Sequence, residues 1–136
     1  MLLLEGKIAI VTGAGQGVGQ GIASVIAREG ARVVICNRNP DRGKAAADLI
    51  KSRGGEAIAI QADIVKMDEV NALVEATLKH YGGLHLLVNN AVAPSVNVPF
   101  AQSKEEDWDQ DLGVGLRGYL ICTRAVIQHF LKQNYG

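Results

Sequence analysis

Ile8-Ala9-Ile10-Val11-Thr12-Gly13-Ala14-Gly15-Gln16-Gly17-Val18-Gly19 is the stretch that decides the fold of this chain. An apolar run without polar alternation reads as a strand buried on both faces. Glycines follow at once. From about Gly17 to Arg28 the pattern turns helical, with Ile22, Val25 and Ile26 on one side. A strand that passes through glycines into a helix opens a β-α unit, and the rest of the chain repeats that alternation.

Arg32-Val33-Val34-Ile35-Cys36 is a second apolar run. Asn39-Pro40-Asp41 then opens a helix with proline in its first turn, and the Ala45-Ala46-Ala47 to Lys51 stretch ends near Gly54-Gly55. Ala57-Ile58-Ala59-Ile60 reads as a third strand. The next helix carries Val70, Leu73, Val74, Leu78 and Tyr81 at helical spacing and stops at Gly82-Gly83. Leu84-His85-Leu86-Leu87-Val88 reads as a fourth strand. A loop with Pro94 and Pro99 follows, and the pattern predicts a long helix from about Lys104 to Gln133. Parallel strands joined by helices require right-handed crossovers, so the expected fold is α/β, a parallel sheet covered by helices on both faces. Residues 1–136 read as a single domain without repeats, low-complexity tracts or linkers.

Composition narrows the function classes. The chain has 136 residues, 48% of them hydrophobic and 21% charged, with 14 basic residues against 14 acidic ones. That balance provides no electrostatic reason to expect nucleic acid or an anionic membrane as partner. The Met1-Leu2-Leu3-Leu4 run breaks at Glu5-Gly6-Lys7 and is too short for an export signal or a membrane span. Cys36 and Cys122 stand far apart in apolar segments, as buried free thiols of a cytoplasmic protein would. His80, His85 and His129 lack metal-ligand spacing, so no metal site is expected. Glu105-Glu106-Asp107 reads as favourable negative charge at a helix start. Ser95 and Ser103 have no nucleophile-elbow context. The 16 glycines point to close backbone approaches, against an average usage of about 7%.

The glycine segment sits where such approaches have a purpose. A helix N-terminus offers unpaired N–H groups and a partial positive charge, which suit the pyrophosphate of a dinucleotide. Gly13 permits the tight turn, Gly17 lets backbone approach phosphate, and Gly19 lets helix pack on strand. Gln16 and Val18 lie between them. The spacing is G-x-x-x-G-x-G, and no G-K-[ST] follows, which excludes a P-loop. The expectation is a Rossmann-type fold with about four strands. The bland alternative is a glycine-rich turn without a ligand.

Thr12-Gly13-x-x-x-Gly17-x-Gly19 resembles the cofactor loop of the short-chain dehydrogenase/reductase family. Asp63, in Ala62-Asp63-Ile64, matches the family position that holds the adenine ring. Asn89-Asn90-Ala91 resembles its N-N-A-G, with Val92 in place of the final glycine. Trp108-Asp109 and Cys122-Thr123-Arg124-Ala125 are similar to its following helix, so the likeness runs in register along the chain. It implies a nicotinamide dinucleotide partner, with Ile64, Asn90 and Ala91 beside Asp63 at the cofactor. On the residues alone, Asp63 could be a turn or cap, and the asparagines could simply end a strand.

In Rossmann folds an acid about 20 residues past the glycines binds the ribose of NAD, and an arginine accommodates the 2′-phosphate of NADP. Here Asn37 stands at the acidic position and Arg38 follows, with a guanidinium suited to phosphate. The expected cofactor is therefore NADP(H) rather than NAD(H); the alternative is a solvated loop arginine.

The family's chemistry uses a tyrosine, a lysine four residues later and a serine, supported by an asparagine. The cation is needed because an unperturbed tyrosine, with pKa about 10, is a poor acid–base at neutral pH. None of Tyr81, Tyr119 and Tyr135 has a lysine four places on. The serine, tyrosine and lysine would fall beyond Gly136, and alignment places Gly115 at the asparagine. Catalytic residues are therefore not assigned. Three readings follow: the cofactor-binding half of a hydride-transferring oxidoreductase, a non-catalytic nucleotide-binding or oligomerising module, or a domain that neither binds nor reacts. Leu116, Leu120, Ile121, Val126, Ile127, Phe130 and Leu131 on the last helix, together with an open fourth-strand edge, predict homo-oligomerisation.

Overall fold

A computed structural model describes residues 1–93 and 98–136. Pro94, read above as part of the loop after the fourth strand, and Ser95 lie outside the described residues. Four strands, β1 (Ile8–Thr12), β2 (Arg32–Asn37), β3 (Glu56–Gln61) and β4 (Leu86–Val88), form one sheet in the order β3-β2-β1-β4. All pairings are parallel: Ile10 lies opposite Val34 on one side and Leu87 on the other, and Val34 opposite Ile58.

Alternation of side chains along each strand divides the core into two layers. Ile8, Ile10, Val34 and Cys36 pack against α3 (Met67–Tyr81) and α5 (Tyr119–Gln133), through Val70, Leu73, Val74, Ile121, Cys122 and Val126. Val11, Val33, Ile35 and Ala57 face the other way. There they meet α1 (Gly17–Arg28) and α2 (Pro40–Ser52) through Ala23, Ala27, Ala46, Ala47 and Ile50. Every residue of β1 is buried, as a strand covered on both faces requires.

The fourth strand is shorter than its apolar run. At its start the Ile8 N–H donates to the His85 Nδ1 at 3.0 Å instead of to a strand carbonyl. The Leu84 carbonyl accepts from the Gln133 Nε2 at 2.7 Å. With both groups occupied by side chains, regular pairing begins only at Leu86.

The last helix also differs from its expected uninterrupted form. It begins as α4 (Glu105–Leu112), passes through a π-helical turn at Gly113–Gly118, and resumes as α5. Glu105, Glu106 and Asp107 occupy the first turn of α4, and Asp107 Oδ2 accepts from the Lys104 N–H at 2.9 Å. Gly113, Gly115 and Gly118 lack the side chains that favour a regular α-turn. Gly118 is buried, and a Cβ there would come within 2.6 Å of the Ile64 Cδ1. The interrupted helix therefore lies hard against the residue that follows Asp63.

Candidate functional site

Right-handed crossovers place α1 and α2 on one face of the sheet and α3 and α5 on the other, so the chain reverses between β1 and β4. In open α/β sheets that reversal leaves a crevice at the carboxyl ends of the strands. Here the crevice is a cleft of about 610 Å³. It draws on the end of every strand: Gly13 after β1, Asn37 ending β2 with Arg38 after it, Asp63 and Ile64 after β3, Asn90 and Ala91 after β4. Gln16, Gly17, Val18 and Gly19 complete its wall, so all the cofactor-site candidates of the sequence converge on one surface.

The glycine positions have distinct physical reasons. Gly13 has φ +65°, and a Cβ there would lie 2.7 Å from the Ala91 Cα. Only glycine fits where the β1 and β4 ends touch. Gly17 has φ +56° but faces open space, so a side chain there would enter the cleft mouth and not the protein. At Gly19 a Cβ would meet the Asn90 amide nitrogen and approach the Gly13 carbonyl oxygen to 2.5 Å.

A threonine knits the two strand ends together. The buried Thr12 Oγ1 donates to the Val88 carbonyl at 3.2 Å and accepts from the Asn90 and Ala91 N–H groups at 3.0 and 3.1 Å. The Asn90 Nδ2 donates to the carbonyls of Thr12 and Gly13 at 2.9 and 3.3 Å. Asn90 therefore fixes the glycine turn from inside, while its neighbour Asn89 points elsewhere and donates to the Thr123 Oγ1 at 3.2 Å.

The N-terminus of α1 is left open, unlike those of α2, α3 and α4. Gln16 makes no side-chain cap, and the first turn holds no acid. By contrast the Asn39 side chain caps α2 by accepting from the Arg42 N–H, and α3 and α4 carry acids in their first turns. Free N–H groups at a positive helix end, beside a glycine turn, suit an anion such as a pyrophosphate.

At the far end of the cleft Asp63 accepts from the Val65 N–H at 3.2 Å through Oδ1, a short Asx turn. Its own N–H donates to the Glu69 Oε2 at 2.7 Å. The Lys66 ammonium and then this Asp63 N–H hold the Glu69 carboxyl below its ordinary pKa. The Asp63 carboxylate keeps a second oxygen for a ligand.

At the end of β2, the Asn37 Nδ2 donates to the Asn39 carbonyl at 3.0 Å. Arg38 is exposed, and its carbonyl accepts from the Gln61 Nε2 at 3.1 Å. Two residues that the sequence did not single out also act here. Gly15 packs so closely that a Cβ would stand 2.6 Å from the Asn37 Nδ2 and 3.0 Å from the Arg42 Cβ. Arg42 itself lines the cleft. The opposite end is apolar, walled by Ala91, Val92, Ala93 and Val114, with Val92 75% exposed at the rim. Among the described residues the lining includes no tyrosine, serine or lysine, and no cluster of three metal-ligating side chains occurs. No helix among the described residues is long and apolar enough to cross a membrane.

The short chain dehydrogenase family model matches residues 7–136. An uncharacterized oxidoreductase of Thermotoga maritima is 36% identical over 134 residues, which make up 98% of this chain and 52% of that protein. A metagenomic short-chain oxidoreductase in complex with NADP superposes with a TM-score of 0.88 at 32% identity, over 98% of this chain and 60% of that one. The 3-ketoacyl-(acyl-carrier-protein) reductase of Brucella melitensis, complexed with NADH, gives a TM-score of 0.87 at 40% identity, over 96% of this chain and 52% of the other. The chain thus spans about half the length of the curated relatives it matches.

Proposed function

This chain belongs to the short chain dehydrogenase family, and on that premise we propose that it is the cofactor-binding half of an oxidoreductase that uses NADP(H) in preference to NAD(H). The observation that carries the reading is the uncapped α1 N-terminus opening onto the cleft at the sheet's reversal point. The dinucleotide lies across the strand ends. Gly13, Gly17 and Gly19 bring backbone to the pyrophosphate, and Asp63 and Ile64 hold the adenine. Arg38 takes the 2′-phosphate, which the uncharged Asn37 leaves unopposed. Asn90, through its bonds to the Thr12 and Gly13 carbonyls, keeps the turn in shape.

When bound, the nicotinamide supplies or accepts hydride toward a carbonyl or alcohol. Ala91, Val92, Ala93 and Val114 give that end of the cleft an apolar wall. Calorimetric titration with NADPH and NADH tests the proposal. Saturable binding with NADPH the tighter ligand supports it, and equal or tighter NADH binding refutes the preference.

One observation favours a second reading, a nucleotide-binding module that does not turn over: Gly115 brings no side chain where the family's asparagine aligns. Following NADPH consumption across a panel of carbonyl compounds separates the two. Binding without consumption selects the module.

We also propose self-association in the cytoplasm through the last helix or the β4 edge. Ile121 and Val126 are buried in the fold, but Leu112, Leu116, Leu120, Ile127 and Leu131 are exposed along α4, the π-turn and α5. Leu116 and Leu120 are 55% and 63% exposed, and such exposed apolar surface marks an interface. Leu86, Leu87 and Val88 of β4 are half-buried. Light scattering showing a monodisperse monomer would contradict this.

A further inference from the structure

We infer that Arg42 is a second arm of the 2′-phosphate site, so that selection of NADP(H) is divided between the loop after β2 and the first turn of α2. The inference rests on the dinucleotide reading above and adds a specificity residue to it.

Arg42 stands where electrostatics argue against a cation. It lies in the first turn of α2, at the positive end of the helix dipole. It forms no ion pair with a carboxylate among the described residues, and neither does Arg38. Lys7, Arg53, Lys79, Lys104, Arg117, Arg124 and Lys132 share that condition, but of the unpaired cations Arg38 and Arg42 are the two in the described lining of the cleft. Asp41 lines the groove on the other side of α2, with Lys44 and Asp48. The described lining of the cleft has Asp63 as its single acid. Two cations left open beside one cleft match a dianion better than they match solvent.

Packing fixes the stem of Arg42 against the phosphate-binding loop. Gly15 has no Cβ, and one built there would lie 3.0 Å from the Arg42 Cβ. The glycine between Gly13 and Gly17 thus lets α2 close onto the loop, bringing its first turn to the ribose end of the cleft. The terminal oxygens of a 2′-phosphate accept from two guanidinium forks at once, and each fork forms charge-assisted bonds.

The probes are 2′,5′-ADP, which carries the ribose phosphate, and 5′-ADP, which lacks it. Their affinities for the unaltered chain, Arg38→Ala, Arg42→Ala and the double variant decide the matter. Alanine at 42 keeps the backbone N–H that Asn39 accepts and is a stronger helix former, and circular dichroism checks that each variant folds. Each single substitution is expected to raise the Kd for 2′,5′-ADP by about tenfold or more, the loss of a hydrogen bond to a charged group, and to leave 5′-ADP within about twofold. Arg42→Lys recovers part of the loss, since an ammonium lacks the fork.

If Arg38→Ala weakens 2′,5′-ADP and Arg42→Ala does not, this inference is wrong and the NADP(H) reading stands. Equal weakening of both probes by Arg42→Ala places the residue at the pyrophosphate and also overturns it. If the unaltered chain binds 5′-ADP as tightly as 2′,5′-ADP, or binds neither, the NADP(H) reading falls and this inference with it.

Discussion

Replacing Gly13 by alanine tests the joint between β1 and β4. Two costs arise at that position. The backbone is left-handed at φ +65°, which costs an L-residue roughly 1–2 kcal/mol. The new methyl would also stand 2.7 Å from the Ala91 Cα and 3.1 Å from its Cβ and N. These are backbone and near-backbone atoms that cannot rotate away, and relieving such overpacking typically costs about 1–3 kcal/mol. The sum, about 2–5 kcal/mol, is a large part of the roughly 5–15 kcal/mol that stabilises a domain. Parting the strand ends also strains the Thr12 bonds to Asn90 and Ala91. Urea unfolding followed by far-UV circular dichroism measures the loss. Gly17→Ala is the control, with a similar φ of +56° but open space around its Cβ. It should lose only the conformational cost in stability while weakening dinucleotide binding. A Gly13→Ala variant no less stable than Gly17→Ala would refute the steric argument.

Gly21 lies exposed within α1, with open space around it and no left-handed φ. Gly21→Ala should therefore stabilise the chain by up to about 1 kcal/mol, read as a higher urea midpoint. His85 accepts the Ile8 N–H through Nδ1. Burial first, then the charges of Lys7, His129 and Arg32, holds its pKa below the ordinary 6.5. A lowered folded pKa means its contribution is complete above that ordinary value and is lost as pH falls through the folded one. The unfolding midpoint should thus drop between pH 7 and pH 5, and His85→Asn, which offers an Oδ1 acceptor but does not titrate, should flatten the dependence. An unchanged slope in that variant contradicts the assignment. Burial pushes the Cys36 and Cys122 thiols up to about 12 and about 11, so iodoacetamide at pH 8 should modify them only after unfolding.

Much of this site was legible in the sequence because the features that build it are local. A strand, a glycine turn and a helix in succession place Gly13, Gly17 and Gly19 at a carboxyl strand end, and the β-α alternation carries Asn37, Arg38 and Asp63 to the same edge. The remainder depends on residues distant in sequence. Thr12 meets Asn90 across the sheet, and nothing near Thr12 announces that it will accept two N–H groups from the end of β4. Gly15 and Arg42 are neighbours only because α2 folds back over the loop. The signal for Arg42 was a basic residue in the first turn of a helix, which is misplaced unless something anionic faces it. The late start of β4 has a similar origin, since the His85 ring and the Gln133 amide occupy ladder positions there. The π-turn at Gly113–Gly118 is local instead, because its own three glycines remove the preference for a regular turn.

Amide chemical-shift mapping with NADPH locates the dinucleotide on the chain. Saturable changes are expected to concentrate at Gly13 to Gly19, Arg38, Asp63 to Val65 and Ala91, with the outer faces of α1 and α2 silent. Changes centred on those outer faces, or none at saturating NADPH, would contradict that placement.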